Sequence, residues 1–148
     1  MNKIDFSDEY YMKQAFVEAE KALSKNEVPV GAVVVCNNKI IARTHNLTET
    51  LNDVTAHAEM LAITAAAEYL GGKYLNECSL YVTLEPCVMC GGALNWSQLK
   101  RLVYGASDEK RGFKRCTPSL LHPKTEIISG VMEDKCKNIV QSFFQQKR

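Results

Sequence analysis

Two short motifs, far apart in the chain, constrain its fold more than any other feature. The first contains His57 and Glu59, and the second contains Cys87 and Cys90 directly after a proline. Together they offer one imidazole and two thiolates as metal ligands, and they leave the Glu59 carboxylate unused. Structural zinc sites generally use four protein ligands, whereas catalytic zinc sites use three and keep one position open. The motifs therefore predict a catalytic zinc site, and the fold must bring them together.

The spacing within each motif indicates where it lies in a helix. Residues two apart point to nearly opposite faces in the middle of a helix, so His57 and Glu59 can address one metal only from a first turn. Cys87 and Cys90 are three apart and share one helix face. We therefore expect two helix N-termini side by side, with the ion between them and Glu59 free to carry protons.

Two other interpretations of the same residues are a zinc ion that only stabilises the fold and a Cys-x-x-Cys redox pair. A redox pair would leave His57 and Glu59 without a role. The combined pattern, His-x-Glu followed by Pro-Cys-x-x-Cys, is the signature of zinc-dependent deaminases. The combination therefore favours catalysis over both alternatives.

The composition is that of a globular protein. Of 148 residues, 46% are hydrophobic and 24% are charged, which predicts a single domain over residues 1–148. The net charge of +1 neither demands nor excludes a nucleic-acid partner. No signal peptide or apolar run of roughly 18 residues is found, so we expect a cytoplasmic protein with no membrane partner. Cys36, Cys78, Cys116 and Cys136 are expected to be buried and reduced.

The hydrophobic pattern alternates between helix and strand periods. It predicts helices over 8–24, 56–70, 87–95 and a C-terminal stretch from Met132, and strands over 28–36, 39–43, 79–83, 101–104 and 126–129. This order predicts an α/β fold, a three-layer α/β/α sandwich around a five-stranded mixed sheet. Pro86 is expected in the first turn of the third helix. Gly31 is interpreted as a place where a ligand approaches the backbone closely.

Five segments, two of which contain the metal motifs, together indicate a family resemblance. They are Glu-Val-Pro-Val-Gly-Ala-Val at 27–33, His-Asn at 45–46, Thr-Ala-His-Ala-Glu at 55–59, Tyr-Val-Thr-Leu-Glu-Pro-Cys-Val-Met-Cys at 81–90 and Val-Tyr-Gly-Ala at 103–106. With them, nearly the whole chain resembles the bacterial tRNA-specific adenosine deaminases, in the cytidine and deoxycytidylate deaminase superfamily. The resemblance implies a cytidine-deaminase-like fold. It also implies an enzyme that converts the wobble adenosine of a tRNA anticodon to inosine.

The resemblance also assigns roles to individual residues. It implies one Zn²⁺ per chain on His57, Cys87 and Cys90, with Glu59 as the proton carrier. It implies a base pocket in which the Asn46 side chain, the wall residue Val30 and the backbone around Ala58, Leu84 and Glu85 contact the nucleoside. From the sequence alone, a loop asparagine such as Asn46 is equally well explained as a turn former. The expected partners are the tRNA anticodon arm and, because the family is homodimeric, a second copy of the chain.

The chain departs from the family pattern in three places. Val54 replaces a common proline, Asn95-Trp96 replaces a His-Ser type pair, and the loop 107–123 is shorter and more basic. Free-base deaminases of the superfamily carry aromatic residues near that position. Trp96 and the near-neutral net charge therefore indicate a guanine or cytosine deaminase as the alternative function. A non-catalytic zinc-containing RNA-binding module is a third. The loop's cations, Lys110, Arg111, Lys114 and Arg115, form either a phosphate contact or a solvated surface.

Overall fold

The computed structural model describes residues 6–116 and 118–147, and its elements follow the predicted order. The helices are α1 Asp8–Ser24, α2 Ala58–Leu70, α3 Val88–Ser97 and α4 Glu133–Gln146; the strands are β1 Gly31–Cys36, β2 Lys39–His45, β3 Cys78–Leu84, β4 Arg101–Ala106 and β5 Glu126–Ile128. A 3₁₀ turn, Phe113–Arg115, lies between β4 and β5.

The strands form one five-stranded mixed sheet in the order β2-β1-β3-β4-β5. Strand β1 is antiparallel to both of its neighbours, whereas β3, β4 and β5 run parallel. In parallel strands the carboxyl ends lie at one edge, so the chain leaves β3 and β4 on the same side of the sheet. The predicted mixed sheet is confirmed.

Each face of the sheet carries its own hydrophobic core. Side chains alternate across a strand, and β1 shows this directly, because Ala32 and Val34 belong to one core and Val33 and Val35 to the other. The first core contains residues of α2 and α3, including Ala62, Ala66 and Leu94. The second contains residues of α1 and α4, including Met12, Phe16 and Cys136. The three-layer α/β/α arrangement is confirmed.

The starts of three elements differ from the predictions, and in each case the local backbone conformation explains the difference. The Val30 amide donates to the Val28 carbonyl at 2.8 Å, so the chain bends there and β1 begins only at Gly31. Helix α2 begins at Ala58 because His57 has extended backbone angles and is its N-cap. Pro86 lies before α3, not in its first turn, since Cys87 is the N-cap.

The interpretation of Gly31 as a ligand approach is wrong. A Cβ built on this glycine would lie 2.1 Å from the Ala15 carbonyl oxygen and 2.3 Å from the Ala19 nitrogen. Both atoms are in the backbone of α1. The glycine therefore allows close packing of β1 against a helix, and no side chain fits at this position.

Smaller expectations are mostly confirmed. Ser7 caps α1 by accepting a hydrogen bond from the Tyr10 amide at 3.1 Å, and Asn37 and Asn38 form the β1–β2 turn with positive φ angles of 52° and 61°. Of the four isolated cysteines, Cys116 is only partly buried, whereas the others are buried. Among the described residues, no helix is long and apolar enough to cross a membrane.

Candidate active site

The two metal motifs meet where α2 and α3 begin. The chain enters α3 directly from β3, and it enters α2 from the loop 46–56. As a result, His57 and Cys87 are the N-cap residues of adjacent helices. The Nδ1 atom of His57 lies 3.7 Å from the Cys87 Sγ atom and 3.5 Å from the Cys90 Sγ atom. The predicted convergence of two helix N-termini is confirmed.

These three residues have the geometry of a metal centre. One ligand atom from each of His57, Cys87 and Cys90 lies within 4.8 Å of the others. In a tetrahedral site with metal–sulfur bonds near 2.3 Å and metal–nitrogen bonds near 2.05 Å, a nitrogen and a sulfur ligand are about 3.6 Å apart. The observed separations of 3.5 and 3.7 Å fit this value. The side chains therefore fit a tetrahedral ion with one further position for a non-protein ligand.

The thiols of Cys87 and Cys90 have pKa values shifted in opposite directions. A hydrogen bond with Cys90 and, to a smaller extent, one with His57 outweigh burial and lower the pKa of Cys87 to about 4. The same hydrogen bond, together with burial, raises the pKa of Cys90 well above its ordinary value. Metal ions bind thiolates, so binding of an ion requires the Cys90 proton to leave.

The helix ends supply favourable electrostatics for this step. Within the described residues, neither N-cap side chain accepts a capping hydrogen bond in α2 or α3. The partial positive charge at each N-terminus therefore acts on the ligand atoms directly. Thiolates are stabilised by this charge.

Glu59 is the ionisable group best suited to move protons here. It lies in the first turn of α2 and is only 4% exposed. Burial raises the pKa of Glu59 to about 7. A carboxyl group in this range exchanges protons readily near neutral pH, as a general acid–base catalyst must.

The loop that leads to His57 is held by a buried carboxylate that sequence reasoning did not single out. Glu27 is fully buried, and its oxygens accept hydrogen bonds from the Glu49 amide at 3.0 Å, the Thr50 amide at 2.6 Å and the Thr50 hydroxyl at 2.7 Å. Burial would raise the pKa of Glu27, but these hydrogen bonds outweigh it and lower the pKa. An acidic residue directly before a β-branched run was the available signal.

Two of the residues expected to contact a base are neighbours, because the Asn46 amide donates a hydrogen bond to the Val30 carbonyl at 3.0 Å. Asn46 is 6% exposed; its Nδ2 atom donates to the Val28 carbonyl, and its Oδ1 atom accepts from the Thr48 amide, both at 3.4 Å. These are long hydrogen bonds, which a stronger partner can replace. Val30 is buried in the first core.

The remaining predicted contacts belong to backbone that is partly engaged within the protein. The Ala58 carbonyl accepts a hydrogen bond from the Thr44 hydroxyl at 2.7 Å. Leu84, the last residue of β3, is partly buried. The Glu85 amide donates to the Ala106 carbonyl at 2.8 Å, and its carboxylate accepts hydrogen bonds from the Asp108 and Lys114 amides.

Comparisons with known proteins agree with this geometry. The model of the MafB19-like deaminase family matches residues 6–148. A tRNA-specific adenosine deaminase of Bacillus subtilis (strain 168) is 47% identical over 146 residues, which cover 95% of this chain and 91% of the relative. The chain belongs to the tRNA-specific adenosine deaminase family.

Two solved structures extend the comparison. One, from a study of A-to-I editing by tRNA:A34 deaminases at the wobble position of transfer RNA, has a TM-score of 0.83 and 43% identity, and covers 88% of this chain and 98% of that one. The other is a guanine deaminase from Bacillus subtilis, with a TM-score of 0.66 and 39% identity over 69% of this chain and 66% of that one. This deaminase therefore has relatives that differ in substrate.

Two departures from the family pattern, Asn95 and Trp96, lie near the end of α3, away from the metal ligands. Trp96 is 85% exposed near the end of α3, about 13 Å along the helix from Cys87. Asn95 donates a hydrogen bond to the Leu120 carbonyl at 2.7 Å, so this position anchors the loop that follows β4. Val54 is 85% exposed. In this deaminase, Asn95 and Trp96 thus shape a surface and a loop rather than the ligand cluster.

Proposed function

We propose that this deaminase hydrolyses adenosine to inosine at the wobble position of tRNA, in the cytoplasm and as a single domain over residues 1–148. The observation that carries the proposal is a buried Glu59 beside a His-Cys-Cys cluster, in a chain 47% identical to a tRNA-specific adenosine deaminase. All six cysteines are free, which is usual for a protein in a reducing compartment.

The metal we propose is one Zn²⁺ per chain, held by His57, Cys87 and Cys90. One imidazole nitrogen and two thiolates form a donor set that suits zinc. When bound, zinc supplies Lewis acidity that brings the pKa of water close to neutrality. The ligand separations of 3.5 and 3.7 Å support this assignment.

Glu59 is the proposed proton carrier. Deamination adds water at C6 of adenine and releases ammonia, so one proton leaves the water and another must reach the substrate. The Glu59 carboxylate accepts the first proton and returns it to a ring nitrogen or to the departing amino group. Its raised pKa, about 7, makes both directions accessible at neutral pH.

The base-binding part of the proposal rests on Asn46, Val30, Ala58, Leu84 and Glu85. The long hydrogen bonds of Asn46 allow its amide to exchange an internal partner for a nucleoside atom. Val30 supplies an apolar wall, and the backbone at the starts of α2 and α3 supplies polar groups close to the ligands. Substitution of Asn46 with alanine should raise KM for substrate without reducing the zinc content.

The proposed partner is the anticodon arm of tRNA. Lys110, Arg111, Lys114 and Arg115 are all exposed in the loop that follows β4. Together they form a local positive surface on a chain whose net charge is only +1. Such contacts release counterions, so activity on RNA should fall steeply as salt rises.

We also propose a homodimer. Val88, Met89 and Trp96 leave an apolar strip exposed on α3, and Gly92 between them meets no atom within 4 Å of a built Cβ among the described residues. A second copy would cover this strip. Light scattering should show a dimer, and Trp96→Glu should shift it towards monomer; a monomeric parent protein would contradict the proposal.

The deciding experiment offers the zinc-loaded protein four substrates under the same conditions. These are an anticodon stem-loop with a wobble adenosine, the same stem-loop with a wobble guanosine, free guanine and free cytosine. Inosine in the first stem-loop alone supports the proposal. The 39% identity to a guanine deaminase supports free-base deamination as the second candidate, which ammonia release from guanine would favour.

A variant with Glu59→Gln separates both enzymes from a non-catalytic RNA-binding module. If the protein is either of the two enzymes, this variant should lose most of its rate. If it is a binding module, its function is RNA binding alone, and its affinity for RNA should be unchanged. Parent protein that binds the stem-loop but releases neither inosine nor ammonia would therefore sink the catalytic proposal.

A further inference from the structure

The segment 107–116, here called the basic loop, is built directly against the second metal motif. It carries all four clustered cations, Lys110, Arg111, Lys114 and Arg115. Gly112 forms an isolated antiparallel bridge with Cys87, and the Phe113 amide donates to the Pro86 carbonyl at 2.9 Å. The backbone of the basic loop is thus joined to the residues that enter α3.

The Glu85 carboxylate lies between the basic loop and the residues that enter α3. It is 4% exposed. Its Oε1 atom accepts a hydrogen bond from the Asp108 amide at 3.0 Å, and its Oε2 atom accepts one from the Lys114 amide at 3.1 Å. A single buried carboxylate therefore binds both ends of the stretch that contains Lys110 and Arg111.

Gly112 provides independent evidence that the carboxylate and the loop are fitted to each other. A Cβ built on Gly112 would lie 2.0 Å from the Glu85 Oε2 atom and 2.5 Å from the Asp108 carbonyl oxygen. No side chain fits there unless the carboxylate or the loop moves. The glycine thus lets the loop backbone pack directly on Glu85.

Side chains of the basic loop divide into an anchored and an exposed set. Phe113 is 2% exposed and packs edge-on against Tyr104, with ring centroids 6.1 Å apart. Lys110 and Arg111 are exposed. The Lys114 Nζ atom lies over the Tyr104 ring, 5.4 Å from its centroid, and Arg115 donates a hydrogen bond to the Lys110 carbonyl. The backbone is therefore held by the buried residues beneath it.

We propose that Glu85 is a positioning residue, whose buried carboxylate holds the basic loop in a preformed shape that presents its cations to RNA phosphates. This role differs from a contact with the base, because the carboxylate acts through the Asp108 and Lys114 amides. A loop that is ordered before binding avoids the entropy cost of ordering on the substrate, so the carboxylate increases affinity for RNA without touching it.

Limited trypsin digestion tests the anchoring without RNA, because the basic loop contains four trypsin sites. Glu85→Gln removes one anionic acceptor from the loop amides, and Gly112→Ala disturbs the same contact from the loop side. Each should raise cleavage within residues 110–115 by about tenfold, the effect expected when a charge-assisted hydrogen bond no longer opposes local opening. Glu109→Gln is the matched control, since Glu109 is exposed in the same loop, and should change cleavage by less than about twofold.

Folding and zinc content are checked in every variant by circular dichroism and metal analysis. Folded Glu85→Gln protein that is cleaved no faster than Glu109→Gln would overturn the proposal. Hydrogen exchange of the parent protein keeps the test valid if the variants do not fold. The Asp108 and Lys114 amides should then be protected, and rapid exchange of both would overturn the proposal.

Steady-state kinetics on the anticodon stem-loop test the consequence for RNA, and this part rests on the proposed tRNA substrate. Glu85→Gln keeps the backbone that we propose to contact the base, and Gly112→Ala leaves Glu85 itself unchanged. Both variants should raise KM about tenfold, because the ordering cost of the loop changes. The dependence of log KM on log salt should keep its slope, since the same phosphates are contacted. An unchanged KM with a reduced kcat would overturn the positioning role. Failure of the parent protein to form inosine would instead refute the tRNA substrate. The digestion result would still hold in that case, because it does not involve RNA.

Discussion

Replacement of Glu27 with glutamine tests whether a buried carboxylate holds the loop that precedes His57. The carboxylate accepts hydrogen bonds from the Glu49 amide and from the amide and hydroxyl of Thr50, at 2.6 to 3.0 Å. A glutamine side chain keeps one acceptor oxygen and turns an amino group towards buried donors. The loss of one charge-assisted bond, together with a donor left facing another donor, should lower the free energy of unfolding by about 2–4 kcal/mol.

For a chain of this size, that loss corresponds to a fall in Tm of roughly 5–15 °C. Thermal unfolding of the zinc-loaded protein, followed by circular dichroism at pH 7, measures it directly. The matched control is Glu20→Gln, because Glu20 is exposed on α1 and its replacement should change stability by less than about 0.5 kcal/mol. Equal Tm values for the two variants would refute the reasoning.

The same contact predicts a dependence on pH. The hydrogen bonds hold the pKa of Glu27 below its ordinary value of 4.5, so the ionised side chain stabilises the folded state more than the unfolded one. The stabilisation is complete above the unfolded pKa and is lost as the pH falls through the folded pKa. The difference in stability between parent and Glu27→Gln should therefore be constant from pH 6 to 8 and shrink below about pH 4.5.

Three further outcomes follow from the site and the fold. Glu59→Gln should lower kcat by about 10²–10⁴-fold while metal analysis still finds one zinc per chain; a fully active variant would exclude Glu59 as the proton carrier. Treatment with a zinc chelator should abolish inosine formation, and added Zn²⁺ should restore it, whereas activity that survives complete metal removal would contradict a metal-dependent reaction. Gly31→Ala should lower stability by more than about 2 kcal/mol because its Cβ would clash with the backbone of α1, and the control Gly72→Ala, which meets no described atom within 4 Å, should not; equal denaturation midpoints would show that α1 can shift without cost.

The order of the elements was predictable because hydrophobic period and turn residues are local signals. The bounds of α1 and the turn at Asn37 and Asn38 follow directly from them. The start of β1 was not predictable, since the β-branched residues Val28 and Val30 favour a strand while a hydrogen bond between them bends the chain. Whether Gly31 faces a ligand or a helix is likewise decided by packing, which one chain segment does not encode.

The proposed ligand set and proton carrier were predicted from the sequence alone. The spacing of His57 and Glu59, and of Cys87 and Cys90, restricts both motifs to helix starts, because helical geometry depends only on residue number. The distances between the ligand atoms, and the burial that raises the pKa of Glu59 to about 7, arise only when β3 and the loop 46–56 place two helices side by side.

The supporting carboxylates were decided by the tertiary structure. In the sequence, Glu27 is a charged residue before one strand and Glu85 is a charged residue after a different strand. Either could have been exposed. In the fold each is buried and accepts hydrogen bonds from the amides of a separate loop. Such bonds join segments far apart in the chain, as Glu27 with Thr50 and Glu85 with Lys114. No local sequence pattern therefore predicts them. The sequence thus determined which residues form the candidate metal cluster, and the tertiary structure decided which atoms hold the surrounding loops in place.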